Sequence, residues 1–211
     1  MKRMTLVLLA AVSAVTALSA QNIKLPEPDR TGGKPLMQCI TERRTIRQYK
    51  PGAELTQKQI STMLYAAWGF NRPDKRTVAT ARNRQDLEIY IALKSGIYRY
   101  NAKSNVLELK CKGNHKAELG KQTPMFEKSS AVVIYVSDLS RFGSRVPREQ
   151  QILYAAAHAG SAYQDVYLYC ANENLGTVLC RLINQDTIRS LLKLPANIEV
   201  LFAQPVGVPA E

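Results

Sequence analysis

Leu87-Glu-Ile-Tyr-Ile-Ala-Leu-Lys94, then Ser95-Gly96, Ile97-Tyr-Arg-Tyr100, Asn101-Ala-Lys-Ser-Asn105 and Val106-Leu-Glu-Leu-Lys110, is the stretch that decides the fold. Leu87–Lys94 alternates in the manner of a strand, and Ser95-Gly96 supplies a turn. Ile97–Tyr100 and Val106–Lys110 then read as a hairpin around Asn101–Asn105. That hairpin breaks the strict strand–helix alternation of a doubly wound parallel sheet. The expectation is an α+β architecture, a mixed sheet flanked by helices.

The surrounding segments supply those helices and the remaining strands. Residues 21–36 carry Pro26, Pro28, Gly32, Gly33 and Pro35 and read as an extended arm. Leu36–Glu42 is a short helix. Thr56 is an N-cap candidate for a second helix, with Ile60, Met63, Leu64, Ala67 and Trp68 on one face, ended by Gly69 and Pro73. Ala131–Val136 is an unbroken apolar run, as in a strand buried on both faces. Pro147 opens a long helix to about Asn174, apolar on more than one face, which assigns it to a core or an interface. Thr177–Leu182 reads as a strand, Asn184 as the cap of a helix over Thr187–Lys193, and Ile198–Val206 as the last strand. Trp68, Phe70, Tyr98 and Tyr100 are core candidates first and ligand-facing aromatics second.

Residues 1–20 have the layout of a secretory signal peptide: Lys2-Arg3, an uncharged apolar run from Thr5 to Leu18, then Ser19-Ala20 before Gln21. The alternative is an uncleaved anchor, for which the run is short. The expected organisation is a signal peptide (1–20), an arm (21–36) and one domain (37–211), exported to a periplasm or secreted, with no stable membrane span after cleavage. The formal net charge is +12. Its lysines are scattered and show no basic-aromatic repeat, so nucleic acid is not expected as a partner. Four cysteines (Cys39, Cys111, Cys170, Cys180) allow three disulfide connectivities in an exporting compartment, or stand as small buried apolar groups. Their spacing fits no zinc pattern, and His115 and His158 stand isolated in the sequence, so no metal is expected.

One charged segment stands apart. Arg43-Arg44-Thr45-Ile46-Arg47 places three guanidiniums within five residues, and guanidinium forks match phosphate oxygens. If the preceding helix continued, Arg43 and Arg47 would share a face. The alternative is a solvated helix end. This segment resembles the opening motif of the nitroreductase family. Arg76-Thr77-Val78-Ala79-Thr80-Ala81-Arg82-Asn83-Arg84-Gln85, Asn174-Leu175-Gly176-Thr177-Val178 and Gln204-Pro205-Val206-Gly207-Val208-Pro209 resemble three further family motifs, in the family's order. Gly96-Ile97-Tyr98-Arg99-Tyr100 is similar to the branch with thiazoline and oxazoline dehydrogenases. The chain departs from the pattern at Thr45 (for Ser), at Ala79-Thr80 (for Pro-Ser) and at Asp86 (for Pro).

The resemblance implies an exported FMN-dependent oxidoreductase, a homodimer with FMN at its interface. It would pass electrons by a ping-pong cycle to a small organic substrate of the nitro, quinone or azoline type. It implies cofactor contacts at Arg43, Arg44, Thr45 and Arg47, at Thr80, Ala81, Asn83 and Gln85, and at the backbone of Leu182, Ile183 and Asn184. No residue is a dedicated catalytic acid, base or nucleophile, as befits chemistry carried by the cofactor. NAD(P)H is the donor in many relatives; export, where reduced nicotinamides are scarce, raises substrate dehydrogenation as the alternative. Relatives have a C-terminal arm with a phosphate-binding cation. Ending at Glu211, this chain is expected to rest that load on Arg43 and Arg47. A second reading is a degenerate flavin-fold binding protein without redox turnover.

Overall fold

The computed structural model describes residues 21–210, so the expected signal peptide lies outside the described residues. In chain order the strands are β1 (Ile23–Lys24), β2 (Phe70–Arg72), β3 (Lys75–Arg76), β4 (Leu87–Leu93), β5 (Gly96–Asn101), β6 (Val106–Lys112), β7 (Ala131–Asp138), β8 (Gly176–Thr177) and β9 (Ile198–Gly207). The helices are α1 (Leu36–Glu42), α2 (Gln57–Trp68), α3 (Thr123–Lys128), α4 (Arg148–Asn172) and α5 (Gln185–Leu192). Seven strands form one sheet in the order β1-β6-β5-β4-β7-β9-β8, and β2 and β3 form a separate pair. Every pairing is antiparallel. The α+β class is as expected.

The period of two in the central strands sorts their side chains onto two cores. Along β4, Leu87, Ile89 and Ile91 enter one cluster, while Tyr90 and Ala92 enter the other. Along β7, Ala131, Val133 and Tyr135 join the first, and Val132, Ile134 and Val136 the second. Helices α2 and α4 cover the first face; α3 and α5 cover the second. A strand covered on both sides needs no polar face, which is why Ala131–Val136 is apolar without a break.

Thr56 caps α2 as expected: its hydroxyl accepts from the Gln59 N–H at 3.1 Å, and the Gln59 side chain accepts from the Thr56 N–H at 3.0 Å. Trp68, Tyr98 and Tyr100 are core residues. Two expectations need correction, and of the two readings of the cysteines the small buried group is the one found. The strand expected over Thr177–Leu182 pairs only at Gly176–Thr177 and again at a single bridge from Cys180 to Ala203. Its partner Pro205 has no N–H to donate, so the ladder is interrupted between those points. Asn184 precedes α5 but does not cap it by side chain; its amide donates to the Glu118 carbonyl at 2.7 Å. All four cysteines are free, and Cys39, Cys170 and Cys180 are buried. The short β2–β3 pair and α3 went unread in the sequence, because Gly69, Pro73 and Pro124 mask their periodicity. Among the described residues no helix is long and apolar enough to cross a membrane.

Candidate functional site

Helix α1 ends at Glu42, and Arg43 has φ −57° and ψ 121°, so the basic segment leaves in extended form. The helix ends at Glu42 as expected, so the condition for a face shared by Arg43 and Arg47 is not met. In an extended chain alternate residues share a side, and Arg43 and Thr45 both turn toward Tyr167 of α4. The Arg43 guanidinium lies 5.1 Å from the centre of the Tyr167 ring. The Thr45 hydroxyl is 3.3 Å from the Tyr167 hydroxyl, which also accepts from the Leu179 N–H at 3.0 Å. The backbone is fixed beside these contacts: the Ile46 N–H donates to the Thr177 carbonyl, joining the segment to β8. A Cβ on Gly176 would sit 2.8 Å from the Ile46 side chain, so that glycine permits the approach.

Arg43, Arg44, Ile46, Tyr167, Ala171, Asn174 and Pro209 are among the residues that line a cavity of about 480 Å³. Lys34 closes its edge, bonding Glu42, the Ala171 carbonyl and the Asn174 side chain at 2.7–2.9 Å. A lysine read as scattered surface charge thus braces the site. Among the described residues no ion pair involves Arg43, Arg44 or Arg47. Arg47 is not among the residues lining this cavity; burial pushes the Cys180 thiol up to about 11, and the Arg47 charge opposes the rise.

The second expected group, Thr80–Gln85, lies beside α4 at His158. His158 precedes Tyr167 by nine residues, about 13 Å along the helix axis. The loop includes a 3₁₀ turn at Ala81–Asn83 and carries Arg82, Asn83 and Gln85 at φ of 55°, 54° and 49°. Gln85 is committed to the loop itself. Its Oε1 accepts from Arg76 Nε at 3.0 Å, and its Nε2 donates to the Asp74 carbonyl at 2.8 Å. The Thr80 hydroxyl accepts from the Gln85 N–H at 3.0 Å. Asn83 is exposed, with its Oδ1 accepting from Gln85 at 3.2 Å. Arg76 is held between aromatic rings, 3.9 Å from the centre of Phe70 and 4.7 Å from that of Trp68. Burial pulls its guanidinium down to about 10.

The third group, Leu182–Asn184, runs between Leu119–Lys121 and α5. The Ile183 N–H donates to the Arg181 carbonyl at 2.9 Å and the Asn184 N–H to the Leu119 carbonyl at 2.9 Å. The Leu182 side chain is 63% exposed. Within one chain the structure therefore gathers Arg43, Arg44 and Thr45, and keeps the Thr80–Gln85 loop apart from them. Sequence reading missed Tyr167, Lys34 and His158. None sits in a motif; each acts through a contact distant in sequence.

An antiparallel sheet between two helical layers, with arginines free of ion pairs beside a cavity at one end of the long helix, defines an α+β protein with a cationic cavity. The family model described as the nitroreductase family matches residues 40–208. The chain belongs to that family and is an oxidoreductase by that membership. A Methanocaldococcus jannaschii protein assigned to the nitroreductases is 28% identical over 183 residues, 82% of this chain and 90% of the relative. A crystal structure from Ralstonia eutropha, also assigned there, has a TM-score of 0.83 at 31% identity and covers 92% of each chain. The NADPH:FMN oxidoreductase of Vibrio harveyi, solved with NAD+, shares the fold at 19% identity and a TM-score of 0.63, covering 83% of this chain and 69% of that one.

Proposed function

We propose that this chain is an exported FMN-dependent oxidoreductase that acts on a small organic acceptor and works as a homodimer. The observation that carries the reading is the set of guanidiniums without ion pairs, with Arg43 and Arg44 opening on the 480 Å³ cavity beside Tyr167. A phosphate monoester supplies nearly two negative charges and the oxygens such donors require. The Thr45 hydroxyl and the Pro209 edge complete a site that fits a flavin phosphate. The Vibrio neighbour, which uses FMN, supports the same assignment.

Arg43 and Arg44 bind and neutralise the phosphate, and Tyr167 orients Arg43 through its ring and Thr45 through its hydroxyl. The Thr80–Asn83 loop contributes polar groups to the ring end. In this reading the loop and the basic cavity that serve one flavin come from two copies of the chain. Leu36, Met37 and Ile40 of α1 and Leu153 of α4 are exposed apolar residues suited to such an interface. Bound FMN supplies the hydride chemistry.

Purified protein is expected to be yellow, and apoprotein to quench FMN fluorescence on binding. Arg43→Ala combined with Arg44→Ala should weaken FMN at least tenfold, and more than Arg84→Ala, whose guanidinium is spent on the Arg141 carbonyl at 2.6 Å. Equal effects of the two changes count against the assignment, and colourless protein that binds no FMN ends it. The internal bonds of the Ile183 and Asn184 amides favour one second reading, flavin binding without turnover. Anaerobic reduction by NADH, NADPH or an azoline substrate, followed by reoxidation with a quinone, would eliminate that reading.

A further inference from the structure

The loop that carries Thr80 and Asn83 is fastened to α4 by a buried side-chain relay. The Ala81 N–H donates to His158 Nε2 at 2.8 Å. His158 Nδ1 lies 2.6 Å from Asp86 Oδ1, and the Ser137 hydroxyl donates to Asp86 Oδ2 at 2.7 Å. Asp86 is 1% exposed and His158 6%. A backbone N–H only donates, so Nε2 is the bare nitrogen and the ring proton sits on Nδ1, pointing at the carboxylate. Both nitrogens and both carboxylate oxygens thereby have partners, which is what a buried charge requires.

Ala81 and Asp86 are the two ends of the loop, and one imidazole holds both. Between them, three of four residues (Arg82, Asn83 and Gln85) occupy the left-handed region without being glycine. Such a backbone persists only where its surroundings over-determine it. Asp86 also stands where the motif resemblance has proline, a residue with no carboxylate to join the relay.

We propose that Asp86 and His158 are positioning residues: a clamp that fixes the Ala81–Asp86 loop on α4 in the shape that presents Thr80 and Asn83 to the flavin. The inference rests on the function proposed above. Neither residue touches the cofactor in this scheme; each acts through the backbone of Ala81. One α4 thus supports both groups of its own chain, His158 holding the loop and Tyr167 the basic segment.

The test separates clamping from stability. In the purified protein, ¹⁵N shifts of His158 should report a protonated Nδ1 and a bare Nε2, and the Ala81 amide should exchange slowly. His158→Phe strands the Asp86 charge and should lower the melting temperature. Asp86→Leu combined with His158→Phe removes that charge and should recover most of the loss. Clamping predicts that this double variant still binds FMN at least tenfold more weakly, with Ala81 exchanging at least tenfold faster. A double variant that recovers wild-type FMN affinity along with its melting temperature overturns the proposal and leaves a stability role. A protonated Nε2 in the wild type overturns it without any variant. Wild-type protein that binds no FMN overturns the proposed function and this inference with it.

Discussion

At the scale of single residues, the ionisable groups divide by whether burial is matched by a partner. Asp86 has both carboxylate oxygens bonded. Asp165, on α4, has no comparable support, and burial alone raises it from the ordinary aspartate value to about 6. The sign of the consequence follows from linkage. The folded chain holds this proton more tightly than the unfolded chain, so stability falls as pH rises from about 4 to about 6. Above that range the ionised carboxylate carries its full cost. Asp165 is only partly buried, so solvent screening reduces the effect to about 1 kcal/mol. Asp165→Asn should therefore stabilise the protein by about 1 kcal/mol at pH 8 and leave it unchanged at pH 4, read from urea unfolding at both values. Equal stabilisation at the two pH values would assign the gain to something other than ionisation. Residue by residue, the basic segment was legible as a candidate because three arginines fall within five positions and their forks match phosphate oxygens. Tyr167 was not, because a tyrosine in an apolar helix looks the same whether it packs or supports a site.

At the scale of elements, local chemistry decided what the sequence disclosed. The capping box of α2 lies within four residues, Thr56 to Gln59, and its start is readable there. Thr56→Ala removes the acceptor for the Gln59 N–H and should cost about 1 kcal/mol. The midpoint of urea unfolding should fall while the denaturant slope stays constant; an unchanged midpoint would mean the end of α2 is held by its core contacts alone. The β4–β5–β6 meander was equally legible, since its turns carry their own residues. Where an element depends on a distant partner, legibility ended. The segment after Thr177 has the composition of a strand, yet Pro205 across the sheet withholds the donor that would continue it. The end of α1 at Glu42 was readable, but the course of the basic segment was not: Ile46 bonds β8, and the chain turns extended at Arg43. The Ala81–Asp86 loop could be matched to a motif, but its shape comes from His158, 77 residues beyond Ala81.

At the scale of the whole molecule, α4 sets the distance between the two groups of residues assigned above to the proposed flavin site. Helix α4 spans 25 residues, about 37 Å, and places its two site contacts nine residues apart on one rod. A two-fold pairing of α4 with its counterpart brings the His158 end of one copy toward the Tyr167 end of the other, because an isologous contact runs the two helices in opposite directions. Leu153, 67% exposed in the single chain, and Met37, 68% exposed, are the apolar residues assigned here to that seam. FMN affinity should then depend on protein concentration, since the cofactor binds the dimer and draws the association with it. Met37→Glu combined with Leu153→Glu places a charge on each side of the seam while leaving Arg43, Arg44 and Thr45 untouched. The expected result is a monomer in sedimentation and an FMN affinity at least tenfold weaker, with the far-ultraviolet circular dichroism of the wild type. A monomeric variant that keeps wild-type affinity would show that one chain suffices, and the Thr80–Asn83 loop would then have no part in the site.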